Sequence, residues 1–396
     1  MKILMVCDFY NVNLEYQENL LSKYYTKHGH EVIIIATTNE SIFEYTAKQH
    51  DKNSPPRIEY HNGVKIIRLK YDFNYKNMLK RFTSLTQIME SEKPDLIYYH
   101  DVSMNFREGV AYVKKHPETK MIMDFHIDYS NSGRTWKSKF ILHKIIKRRF
   151  FFDTAKKYLS KILPVVPASA LFLNENYGVP FEKMEIMPLG ADLDLINELK
   201  EKGARSEVRK KLEINESDFV IFSGGKLTPH KKTELLLEAF EKLNNDDSEK
   251  FKNVHLIIVG DSNEKDVDYF ENLKKYAQRN KNIHFVGWLN PIEIYKNLLA
   301  SDIAVFPQSQ SVLWQKAIST GLPLVVGLVL GNRVDYLNEK NCILVMEDGE
   351  MNAQKIAEHI YKLYADASFF AKMQSAAFET TSELLDWNKI VEKTLN

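Results

Sequence analysis

Short apolar runs bounded by polar or turn residues alternate, along the whole chain, with segments whose apolar residues recur at three- and four-residue spacing. Runs of this kind read as buried parallel strands, and the periodic segments as helices laid on both faces of the sheets. Residues 2–7 form the first predicted strand. Leu14, Leu20, Leu21, Tyr24 and Tyr25 then share one helical stripe that stops at Gly29, and a strand follows over 32–36. Further strands are predicted over 64–69, 96–99, 121–125 and 184–187, and in the second half over 219–222, 254–259, 283–286, 303–306, 323–326 and 342–345. The changeover falls near 187–192, and a charged helix is expected over 194–212. Segments 53–56 and 244–249 read as surface connections. The rhythm predicts an α/β protein with two Rossmann-like doubly wound domains, 1–192 and 193–376, followed by a C-terminal segment, 377–396.

Composition narrows the partners. Over 396 residues the formal charge is +1, so no whole-chain attraction draws the protein to nucleic acid. Two cysteines, Cys7 and Cys342, exclude a disulfide framework and fit a reducing compartment. No run approaches the ~20 apolar residues of a membrane span, and the first apolar stretch is too short for a secretory core. The protein reads as cytoplasmic.

Chemistry concentrates between Ser223 and Phe240. A strand ends at Gly224-Gly225, Lys226 and Lys231 flank the turn, and Thr233 is the expected N-cap of a helix carrying Leu235, Leu236, Leu237, Ala239, Phe240 and Leu243 inward. Two ammonium groups beside a helix start, whose free N–H groups already favour an anion, suit a diphosphate. His126 follows the predicted strand at 121–125, and His100 follows that at 96–99. Either is also explained as a packed, hydrogen-bonded histidine, with Asp101 a simple partner for His100. Asp192/Asp194 and Asp266/Asp268 have the Asp-x-Asp spacing of a metal pair, but one lies at the domain boundary and the other in a charged helical stretch. No His/Cys cluster has zinc spacing, and no metal ligand is assigned.

The lysine loop resembles the Gly-Arg/Lys-Leu, three residues, Lys element of the family 4 retaining glycosyltransferases. Gly-His-Glu-Val at 29–32, Pro-Asp-Leu-Ile at 94–97, Pro-Leu-Gly-Ala-Asp at 188–192, Ile-Val-Gly at 258–260, Phe-Val-Gly at 285–287 and Ser-Asp-Ile-Ala-Val-Phe-Pro at 301–307 extend the likeness over most of the chain. The resemblance implies the glycosyltransferase B fold, two domains facing a cleft, with a last helix, expected at 385–395, returning to the first. It implies a metal-independent hexosyltransferase that needs no cofactor and takes a nucleotide-diphospho-sugar, UDP favoured, as donor. Gly225, Lys226 and Lys231 would hold the diphosphate, His126 the transferred sugar, and Val286 and Gly287 would border the base. Lys232 stands where relatives usually carry glycine.

Relatives place two glutamates after the strand at 303–306; here the loop reads Gln308-Ser309-Gln310-Ser311-Val312-Leu313-Trp314-Gln315-Lys316. Gln308 falls at the sugar position, Gln315 or Lys316 at the ribose position, and Ser309, Ser311 and Val312 complete the donor loop. Gln315 also stands for the glutamate of a Ser-x-Leu-Trp-Glu version of the loop, and unlike lysine it can accept a hydrogen bond. Gly331 and Asn332 resemble the loop that meets the donor sugar or phosphate. Tyr16, Gln17 and Glu18 are placed to reach the acceptor, as is His100, although a plain helix start explains the first three equally. Loss of both glutamates keeps a second reading open, a nucleotide-sugar-binding partner subunit without full activity.

Between Arg134 and Lys161 ten lysines and arginines face one acid, Asp153, with Phe140, Ile141, Leu142, Ile145, Ile146 and Phe150–Phe152 interleaved. An α-helix here would separate most aliphatic side chains from most cations. That is the pattern of an interfacial helix on an anionic membrane, and equally of a core-facing helix with a charged exterior. Attachment to the inner membrane face would suit an acceptor carried on a polyprenyl diphosphate, as in bacterial surface-polysaccharide assembly.

Overall fold

A computed structural model describes residues 1–39, 54–82, 84–246, 248–308, 311–329 and 333–396. They fall into two compact units, Met1–Pro188 with Ile390–Asn396, and Leu189–Lys389. The first unit thus ends four residues before the predicted boundary, and residues 377–389 group with the second.

In the first unit the strands are β1 (Lys2–Val6), β2 (Glu31–Thr37), β3 (Arg57–His61), β4 (Val64–Leu69), β5 (Phe73–Tyr75), β6 (Leu79–Arg81), β7 (Leu96–His100), β8 (Lys120–Phe125) and β9 (Lys161–Pro164). Seven of them make one sheet in the order β3-β4-β2-β1-β7-β8-β9, parallel except for β3 at the edge. The connection direction reverses between β1 and β7, so ligand chemistry is expected at the carboxyl ends of those strands. Leu4, Val6, Ile33, Ile35, Ile97, Tyr99, Met121 and Met123 face one core layer, as buried parallel strands require. Residues 184–187 form no strand; their N–H groups at Glu185 and Met187 donate to β9 carbonyls instead. The chain end is part of this unit: Tyr25 and Thr394 share a 2.5 Å hydroxyl hydrogen bond, and Lys120 donates to the Leu395 carbonyl.

The second unit carries β10 (Phe219–Gly224), β11 (Val254–Val259), β12 (Ile283–Gly287), β13 (Ile303–Phe306), β14 (Leu324–Gly327) and β15 (Ile343–Met346). They form a parallel sheet in the order β12-β11-β10-β13-β14-β15, reversing between β10 and β13. The helix expected over 194–212 is two helices, Leu193–Glu201 and Ala204–Lys211, because Gly203 takes a left-handed φ of +74° between them. Arg209 is fully buried there and donates to the carbonyls of Ala300, Asn215 and Asp218 and to Asp302, clamping the helix to the sheet. Asp192 caps the first of these helices, and Asp266 precedes and Asp268 lies in the first turn of the helix Val267–Ala277. The connection predicted at 244–249 is helical on both sides of residue 247, with helices Thr233–Asp246 and Ser248–Phe251. Residue 53 of the other connection lies outside the described residues. No described helix is long and apolar enough to cross a membrane.

The basic segment departs most from expectation. Lys137–Phe152 is a π-helix, bonding residue i to i+5 and therefore turning about once every 4.4 residues. At that turn the exposed Phe140, Ile141, Ile145 and Phe150 share one side of the helix, and the buried His143 and Phe152 lie on the other. Trp136, just before it, is exposed as well.

Candidate functional site

The lysine loop leaves β10 through Gly225, whose φ of +123° only glycine adopts readily. Gly225 N–H donates to the Val259 carbonyl, Leu227 N–H to Asp261, and Gly260 N–H to Gly287, so the ends of β10, β11 and β12 are stapled together. The staple leaves no room for a side chain: a Cβ on Gly260, itself at φ +133°, would lie 1.9 Å from the Gly225 carbonyl oxygen. Gly260→Ala is expected to destabilise the protein by about 2–4 kcal/mol, since it combines overpacking with backbone strain. Thermal denaturation will show it as a lower Tm.

After the turn come one 3-10 turn, Pro229–Lys231, and the helix Thr233–Asp246. Thr233 is the first helical residue rather than the cap; its N–H donates to the Tyr269 hydroxyl at 3.1 Å. Lys232 sits at φ 50°, ψ 40°, a left-handed conformation that explains why glycine suits this position in similar sequences. Lys226 is exposed and Lys231 partly buried, and neither ammonium has a hydrogen bond or ion pair among the described residues. Burial lowers the Lys231 pKa. An unneutralised, desolvated ammonium is a site prepared for an anion. Val286 and Gly287 end the adjoining strand β12, both partly exposed, with Gly287 at φ +75°.

The loop after β13 is different. The Gln308 carbonyl oxygen is buried without a partner, Ser311 Oγ accepts from Leu313 N–H at 3.3 Å, and Val312 is exposed. Ser309, Gly331 and Asn332 lie outside the described residues. Gln315 and Lys316, the alternatives for the ribose, belong to the helix Leu313–Ser319, every residue of which is buried. The Gln315 amide lies 3.3 Å from the Tyr336 hydroxyl and within 3.2 Å of the Ser311 and Val312 carbonyls. Lys316 Nζ donates to the Tyr295 hydroxyl at 3.2 Å and stands over that ring. Both polar ends are thus engaged inside the unit.

In the first unit Asp124, at the end of β8 and fully buried, gathers the histidines. His100 Nδ1 lies 3.1 Å from Asp124 Oδ2, and His126 Nε2 lies 3.4 Å from the same oxygen without hydrogen-bond alignment. Tyr98 donates to Oδ2 at 3.0 Å, and Asp101 N–H to Oδ1. Burial disfavours charge on both sides of this pair, yet mutual attraction wins: His100 is pushed up to about 10, and Asp124 is held well below the usual carboxylate range. Asp101, expected to pair with His100, accepts instead from His126 N–H at 2.8 Å. The donor atoms of His100, Asp124 and His126 lie within 4.8 Å of one another, a set with metal-ligand composition that sequence spacing did not reveal. Tyr16 is the exposed residue preceding the helix Gln17–Lys27, and Gln17 is buried with both amide atoms unpartnered. Glu18, also buried, has its pKa raised by desolvation, with the charges of His100 and His126 opposing.

Residues 19–195 match the sequence model of Glycosyltransferase Family 4, and residues 204–380 that of Glycosyl transferases group 1. The chain belongs to the family 4 glycosyltransferases. A D-inositol 3-phosphate glycosyltransferase of Geodermatophilus obscurus is 25% identical over 179 residues, 44% of this chain and 39% of that relative. The match therefore spans about two fifths of that relative's length. Among solved structures, HepE of Anabaena in complex with UDP superposes with TM-score 0.68 and 17% identity, over 100% of this chain and 98% of that one. A glycosyltransferase from Rickettsia africae superposes with TM-score 0.69 and 18% identity, over 100% and 96%. These likenesses establish the family's glycosyltransferase B fold, with its two Rossmann-like parallel-sheet domains.

Proposed function

We propose that this family 4 member is a retaining, metal-independent hexosyltransferase that uses a UDP-sugar and a glycan or lipid-linked acceptor in bacterial surface-polysaccharide assembly. The observation that carries the reading is the pair of unpartnered ammonium groups, Lys226 and Lys231, at the end of β10. They would take the diphosphate and stabilise its growing charge as the C1–O bond to phosphate breaks. The acceptor hydroxyl forms the new bond to C1 on the same face and passes its proton to a departing phosphate oxygen. His126 would contact the transferred sugar, with Val286 and Gly287 beside the base, and no cofactor takes part. HepE, crystallised with UDP and with UDP-glucose, supports uridine as the base.

The exposed Trp136, Phe140, Ile145 and Phe150, with Lys137 and Arg149 among them, would lie on an anionic membrane surface on the cytoplasmic side. Each cation near such a surface adds roughly 1 kcal/mol. One observation favours the second reading, a nucleotide-sugar-binding partner subunit: both replacements at the ribose position, Gln315 and Lys316, are buried and engaged. Purified protein incubated with UDP-, GDP- and ADP-sugars separates the two. Slow release of free UDP from a UDP-sugar supports the transferase; binding without release supports the partner subunit.

A further inference from the structure

We infer that the cavity at the carboxyl ends of β1 and β7 binds a phosphate group carried by the acceptor, with Lys147 as its anchor. The inference rests on the transferase reading and names the class of its acceptor. The cavity measures about 330 Å³ and lies wholly within the first unit, with His100 in its wall but neither Tyr16 nor Gln17. That volume is at the lower end of small-molecule sites, which begin at about 300 Å³, and fits a phosphorylated sugar or polyol.

The π-helix creates its cationic wall. Ser138, Leu142, Lys147 and Phe151 all line the cavity, at spacings of four, five and four residues. An i to i+5 helix stacks those positions on one face, whereas an α-helix would rotate Lys147 away from Ser138. The buried His143 in the same helix, hydrogen bonded at 2.8 Å to both Ser132 and Tyr177, fixes the helix against the unit.

Charge accounting then leaves Lys147 and Asp101 as the lining charges outside any ion pair among the described residues. Asp8 is ion-paired with Lys80, and His100 with Asp124. Lys147 Nζ has no hydrogen bond or ion pair among the described residues. Burial lowers its pKa, which Asp101 and Asp8 oppose only from a distance. Asp101 is held at φ +63°, a strained left-handed conformation of the kind that gathers at ligand sites. One of its oxygens accepts from His126 N–H, and the other is available to an acceptor hydroxyl. An ammonium outside any ion pair, in a cavity also lined by Ser103, Asn131 and Ser138, suits a tetrahedral phosphate; a planar carboxylate is matched better by the fork of arginine.

The test is made in the K226M/K231M background, which removes the competing anion site. Inorganic phosphate, glycerol 3-phosphate, and phosphatidylglycerol vesicles against phosphatidylcholine vesicles are titrated in turn. Phosphate or glycerol 3-phosphate binding that K147M weakens about tenfold or more, and K147R retains, supports the inference. Lys147-dependent binding that is stronger for glycerol 3-phosphate indicates a soluble acceptor; stronger binding to phosphatidylglycerol vesicles indicates a lipid-borne one. Absence of phosphate binding, or binding unchanged in K147M, overturns it. K147M should melt no lower than its parent, because it removes an unpartnered, desolvated charge, so loss of binding will not reflect loss of fold. Release of free UDP from a UDP-sugar by the wild-type protein judges the transferase reading separately: release upholds that reading, and binding without release overturns it, whatever phosphate does.

Discussion

Replacing Lys226 and Lys231 together by methionine is expected to weaken UDP binding by about 10²- to 10⁴-fold, each charge-assisted contact contributing about 1.5–3 kcal/mol. The fold should survive, since neither ammonium pairs with any described group. Lys231 is the more telling of the two. Its burial disfavours the free cation, so the double variant should melt at or slightly above the wild-type temperature while losing its ligand. Calorimetric titration with UDP beside a melting curve measures both quantities. Unchanged UDP affinity would remove the foundation of the proposed function, which rests on these two ammonium groups.

Asp124→Asn should destabilise the first unit by about 3–5 kcal/mol, because it leaves charged His100 partly buried without its counter-ion. Its pH signature distinguishes it from ordinary core damage. His100 ordinarily titrates near 6.5 and is raised to about 10 here, so its contribution is fully present below about pH 6.5 and is lost as pH rises toward 10. Asp124 is shifted the other way, so its contribution is present above its unfolded pKa and is lost as acid protonates it. Wild-type stability should therefore fall between neutral and alkaline pH, and the Asn variant should show a much flatter profile there. Urea melts at pH 6, 8 and 10 provide the comparison, and parallel slopes for the two proteins would refute the coupling.

The parts of this fold legible beforehand were those where local chemistry and burial agree. Val254–Val259, Ile303–Phe306 and Val64–Leu69 are apolar runs bounded by turn residues, and each is the strand expected. Arg57–His61 escaped because an antiparallel edge strand with exposed Ile58, Tyr60 and His61 lacks that signature. Lys161–Pro164 escaped because four residues behind a run of cations carry too little pattern. The lysine loop could be read from sequence because turn, cations and helix start are contiguous. Asp124 could not: its partner His100 lies 24 residues away, and the pair exists only because β7 and β8 are neighbours in register. The π-helix was beyond sequence patterning, since its residues satisfy a 3.6-residue template as readily as the wider turn they adopt. The inward engagement of Gln315 and Lys316 depends on Tyr336 and Tyr295, two tyrosines outside their loop.

Residues 390–396, which close the first unit through Thr394 and Leu395, are translated only after all of the second unit. On the ribosome, then, the amino-terminal half emerges first but must wait with an unfinished surface around Tyr25 and Lys120 for roughly two hundred codons.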